Sequence, residues 1–74
     1  MEDIAIIGFV SKRFDRIVIT TEGGEIYNLS AIMPWEAVSP DFDSGQFIPF
    51  IEKRARASGK TDGSTIWGAH LEKL

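Results

Sequence analysis

Apolar and polar residues alternate along most of this chain with the period of two that a half-buried strand imposes. The places where the alternation breaks mark the connections. Ile4–Val10 is a β-rich run interrupted by Gly8, and a lone glycine inside a strand pattern marks a bulge or a tight bend. Arg16–Thr21 alternates around β-branched residues and predicts a second strand. Gly23 and Gly24 suit the positive φ angles of a two-residue turn, so Glu25–Leu29 is predicted to return as a third, antiparallel strand. On this alternation Ile17 and Ile19 face inward, while Arg16, Val18 and Thr20 face outward beside Lys12. On strand three, Tyr27 and Leu29 share one face, and Ile26 and Asn28 share the other.

After Ile32 the texture changes, because "MPWEAVSPDFDSGQ" holds two prolines, a glycine and two serines. Pro34 suits the first turn of a short helix through Val38, and Pro40 stops it, which predicts a loop with at most one helical turn. Gln46–Ala57 resumes an apolar–polar pattern and is predicted as strand four, with Pro49 demoting one end to an edge or a bulge. "SGKTDGST" then predicts a mobile turn, and Thr65–Leu74 a fifth strand. Five short strands with the longest connection between the third and fourth predict an all-β fold. It would be a five-stranded antiparallel barrel of the OB type over residues 1–74, with an SH3-like barrel as the nearest rival.

Composition narrows the function classes. Seventy-four residues bury only about 60% of their unfolded surface, so the core must be small. The chain has no cysteine and one histidine, which excludes a disulfide framework and gives no set of structural zinc ligands. No cofactor or metal is expected. No apolar run approaches the ~18 residues of a membrane span, and the acidic start at Glu2 and Asp3 is unlike a signal peptide, so the expected location is the cytoplasm. Net charge is −3, which argues against a grip on duplex DNA through bulk charge. The cations are nonetheless segregated: Lys12, Arg13 and Arg16 form one group, and Lys53, Arg54, Arg56 and Lys60 another.

Several stretches resemble, in order, the cold-shock domain family of small OB-type barrels. "GFV" at Gly8–Val10 is similar to the family's opening Gly-Lys-Val, and "DRIVIT" at Asp15–Thr20 stands where the family has Gly-Phe-Gly-Phe-Ile-Thr. "EIYNLSAI" at Glu25–Ile32 resembles Val-Phe-Val-His-Phe-Ser-Ala-Ile, "SGQFIPFI" at Ser44–Ile51 resembles the Glu-Gly-Gln strand, and "GAHL" with Leu74 resembles the closing segment. The resemblance implies single-stranded RNA or DNA as partner, held on exposed aromatic rings. Matched by position, those rings fall on Lys12, Arg13, Arg16, Val18, Ile26, Asn28 and Leu29, so most of the stacking surface is replaced. Stacking contributes roughly 1–3 kcal/mol per base, and arginine guanidinium groups can stack as well as pair with phosphate.

The expected interface is therefore a basic barrel face of Lys12, Arg13, Arg16, Val18, Ile26 and Asn28, extended by Lys53, Arg54, Arg56 and Lys60. Each feature also has a plainer reading. The first cations lie near a turn and suit simple solvation. The second group suits charges that protect a sheet edge. Tyr27 reads as a core or rim ring, while Trp35, Phe42 and Phe47 suit a plug over a barrel end. Trp67 reads as packing in or capping the barrel, and His70 as a structural histidine. The two functions that follow are single-stranded nucleic-acid binding, of the kind used in RNA chaperoning or gene regulation, and a protein-interaction barrel that binds a partner or itself. Catalysis has little support, since no cysteine nucleophile exists and "GKT" at Gly59–Thr61 lacks the upstream glycine and following helix of a phosphate-binding loop.

Overall fold

The strand periodicity is realised in a computed structural model that describes residues 1–74. The strands are β1 (Glu2–Arg13), β2 (Arg16–Thr21), β3 (Ile26–Leu29), β4 (Lys53–Thr61) and β5 (Thr65–Lys73), with a 3₁₀ helix at Ser44–Phe50. They close into one barrel in the cyclic order β1-β2-β3-β5-β4. β1 is long enough to pair with β2 on one flank and β4 on the other. Four of the five pairings are antiparallel, but β3 and β5 run parallel at Asn28 and Leu29 against Thr65 and Ile66, so the sheet is mixed rather than antiparallel throughout. Parallel closure follows from the connection between β3 and β4, which carries the chain across the barrel before the last hairpin begins.

Inward residues are those that alternation selects. Val10, Ile17, Ile19, Leu29, Ala55, Ala57, Ile66, Ala69 and Leu71 form the buried cluster, and Phe47 joins it from the 3₁₀ helix. Opposite Gly8 stands Ala55, and opposite Ile6 stands Ala57, and β2 comes so close to Gly8 that a side chain there would meet the Thr20 carbonyl. Tyr27 packs against this cluster from β3, as a rim ring should.

Three boundaries differ from the sequence reading. Residues 46–50, predicted as the start of strand four, are 3₁₀ helix instead, and β4 begins only at Lys53. The apolar residues there, Phe47 with Phe50 and Ile48 with Ile51, recur every three positions and match the three-residue turn of a 3₁₀ helix. Pro34–Val38 stays a loop, as expected, with one turn closed by Glu36 N–H on the Met33 carbonyl at 3.1 Å. Ser58–Thr61, predicted as mobile turn, continue β4 through a bulge between Ser58 and Lys60. The β2–β3 turn is also one residue longer than expected. Thr21 N–H donates to Glu25 O and Gly24 N–H to Thr21 O, and only Gly24 of the two glycines has a positive φ, 86°.

The long connection is pinned from inside. The buried Ser30 Oγ donates to the Pro40 carbonyl at 2.6 Å, which holds the middle of the connection against the end of β3. No helix is long and apolar enough to cross a membrane.

Candidate nucleic-acid interface

Alternation on β1 sends Ile4, Ile6, Gly8 and Val10 inward, and therefore Ile7, Phe9, Ser11 and Arg13 outward. Register then decides what stands beside them. Phe9 lies between Thr20 of β2 and Arg54 of β4, and Thr20 continues the row to Ile26 of β3. One step away, Ile7 faces Arg56, which in turn faces Glu72. In the other direction Ser11, Val18 and Asn28 form a row, and Arg13 faces Arg16 at the end of the hairpin. Same-face neighbours along a strand are about 7 Å apart. Four arginines, a phenylalanine and two isoleucines thus occupy one continuous outer wall. Phe9 is 41% exposed, and Ile7 and Ile26 are exposed to a similar degree.

The wall gathers six of the ten predicted residues as accessible groups: Arg13, Arg16, Ile26, Asn28, Arg54 and Arg56. The other four need correction. Lys12 pairs with Ile17 and so shares the inward parity of Val10. It emerges at the barrel mouth with Lys53, which faces Val10, and not beside Arg16. Val18 has the outward parity expected of it but is only 3% exposed, its short side chain set among Ser11, Asn28, Arg16 and Thr20. Lys60 lies at the far end of β4 and is engaged by Asp3 at 2.6 Å, a pairing that also holds the Asp3 carboxyl below its ordinary value.

Electrostatics favour the same wall. Arg54 is paired with Glu22 at 3.0 Å, while Arg13, Arg16 and Arg56 form no salt bridge. Asp41, on the long connection, is held below the usual carboxylate range by the Ser39 hydroxyl, by its own backbone N–H and by the nearby Arg16.

Past Asn28 the wall descends into a cleft of about 410 Å³ that is bordered by Arg16, Asn28, Asp15, Asp41, Asp62 and Trp67. Three carboxylates against one guanidinium make it a poor place for phosphate. Trp67 neither fills nor caps the barrel. It lies on the outside, its ring fixed by the bond from Nε1 to Asp62 Oδ2 at 3.3 Å. Asp62 also accepts from Ser64 N–H and Thr65 N–H, and these bonds, with that from Trp67, push its carboxyl far below the ordinary range.

Two rings escaped the sequence reading. Phe9 was legible in principle, since Gly8 and Val10 facing inward force it outward. Phe14, at the hairpin tip, becomes visible only once β1 extends to Arg13 and leaves a two-residue turn. No group of side chains is arranged to hold a metal ion. Compared with protein-family models, curated proteins and solved structures, the chain matches none.

Proposed function

We propose that this protein binds single-stranded nucleic acid on an OB-type, cold-shock-like barrel, and that it is a binding module without catalytic activity. The cyclic strand order, the parallel contact that closes it and the long connection between the third and fourth strands all support that type of barrel. The observation that carries the function is the placement of Phe9 beside Arg54, with Arg56, Arg13 and Arg16 on the same outer face.

An unstacked base lies flat on the Phe9 ring, Ile7 and Ile26 support the sugar and base edges, and the guanidinium groups take the phosphates on either side. The Arg54–Glu22 pair is an exposed surface pair worth about 0–1 kcal/mol, so a phosphate can replace the carboxylate at little cost. With net charge −3 the long-range attraction is weak, and affinity depends on these local contacts. The polar groups on the wall are few, Ser11, Thr20 and Asn28, which suits binding with little sequence preference. RNA chaperoning or regulation of gene expression is the corresponding cellular role, and the cytoplasm the corresponding place.

Titration of fluorescent oligo-U and oligo-dT at two salt concentrations tests this. Binding is expected to weaken as salt rises. Phe9→Ala is expected to cost about 1–3 kcal/mol of affinity, and Arg54→Ala with Arg56→Ala to lower the salt slope by about 1.4. Absence of binding at low salt overturns the proposal. The exposed Ile7, Phe9 and Ile26 beside a net negative charge favour a second reading, an interface for a protein partner or a second copy of the chain. A dimer in light scattering together with no oligonucleotide binding supports that reading.

A further inference from the structure

The turn between β1 and β2 concentrates three unfavourable choices in four residues. Phe14 has a φ of 56°, a left-handed conformation that bulky side chains avoid and that glycine or asparagine adopts easily. Phe14 is 99% exposed, so its ring packs against no part of the fold. Arg13 and Arg16 stand directly opposite each other across the ladder, where like charges repel, a repulsion that Asp15 in the turn and Asp41 near Arg16 offset only in part. An Asn-Gly turn with neutral flanks would build the same hairpin without any of these costs. Strain, an exposed ring and paired like charges at one point are the signature of a group whose partner lies outside the molecule.

Resting on the nucleic-acid reading above, we propose that Phe14 is a second base-stacking residue of this interface, with Arg13 and Arg16 holding the phosphates that flank the stacked base. Three things on the molecule favour an unpaired polynucleotide as the occupant. Arg13 is on the same outer face as Phe9, four residues farther along β1 and so about 13 Å away, and Phe14 follows it at the tip. The residues between them, Ser11 and Val18, are small, so a chain can pass over the wall from one ring to the other. Neither Arg13 nor Arg16 forms a salt bridge, and Arg13 lies outside the carboxylate-lined cleft, so the tip can take an anionic phosphate.

Phe14→Gly is the decisive variant because the structural and binding roles move in opposite directions. Glycine relieves the left-handed backbone, so the melting temperature is expected to stay level or rise. Affinity for oligo-U is expected to fall about five- to 150-fold, the value of one stacked base. Phe14→Tyr, which keeps the ring, is expected to bind as the parent does. Arg13→Ala with Arg16→Ala is expected to reduce the salt slope by about 1.4. An oligonucleotide carrying the fluorescent base 2-aminopurine is expected to report stacking with the parent and less with Phe14→Gly. If Phe14→Gly binds as tightly as the parent while Phe9→Ala is weakened, the tip plays no part and the wall reading stands. If the parent binds no oligonucleotide at low salt, both readings fall together.

Discussion

A methyl group built on Gly8 would lie 2.5 Å from the backbone carbonyl oxygen of Thr20 and 2.9 Å from Ile19 Cγ1. The glycine is therefore required by the closeness of β2 and not by an unusual dihedral of its own. On the opposite flank Gly8 faces Ala55 of β4. Gly8→Ala must push β2 outward or distort β1, and overpacking of that kind costs about 1–3 kcal/mol, which chemical denaturation will read directly. A variant as stable as the parent would show that the wall yields without strain. The sequence predicts a bulge or bend at Gly8, whereas both ladders run through it without a shift and the glycine answers to the close approach of β2. A single sequence displays the missing side chain and conceals the neighbour that forbids one. Val18 makes the complementary point. Its parity was read correctly, yet parity says which way a side chain leaves the strand and nothing of how tall its neighbours are.

Strands with clean alternation are legible in the sequence, and the stretch around the 3₁₀ helix is not, for a physical reason. β2 and β3 announce themselves by β-branched alternation, and both were placed within a residue. The 3₁₀ helix at Ser44–Phe50 was hidden because its apolar residues alternate imperfectly enough to pass for a strand. Pro49, which lacks the N–H a ladder needs, was the signal against that assignment. The turn between β4 and β5 is the element most dependent on one side chain. Asp62 accepts bonds from Ser64 N–H, Thr65 N–H and Trp67 Nε1, all of which favour its charged form. Its carboxyl in the folded chain is depressed below the unfolded value of about 4. The stabilisation is thus fully present above about pH 4 and is lost as pH falls below it toward the folded value. Thermal melts between pH 7 and 2 are expected to show a steeper acid decline for the parent than for Asp62→Asn. Parallel curves would mean that the turn does not depend on the charge.

At the scale of the whole molecule the cylinder itself was foreseeable from strand count, chain length and the need to bury unpaired edges, whereas the mixed sheet was not. Parallel contact between β3 and β5 arises only when the ends of the sheet meet, a fact that no local window contains. The candidate wall was half legible for the same reason. The arginines of β1, β2 and β4 are visible in sequence, but their gathering on one face, and the separation of Lys12 and Lys53 from them, depend on registers between strands more than 40 residues apart. Every strand of the closed barrel is paired on both flanks, and in β1 the residues Gly8, Phe9 and Val10 each stand opposite a residue of β2 and a residue of β4. That doubly paired stretch, Gly8–Val10, is expected to hold the slowest-exchanging amides in the chain, and mass-spectrometric hydrogen exchange will check this. Faster exchange there than in β5 would place the stable nucleus elsewhere. The double pairing also governs how the protein is made. Synthesis at roughly 5–20 residues per second delivers β1 several seconds before β4 exists to cover its second flank. Through that interval a nascent chain exposes Ile4, Ile6 and a bare strand edge together, so in a crowded cell this barrel's vulnerable moment comes during translation, before it has ever been a barrel.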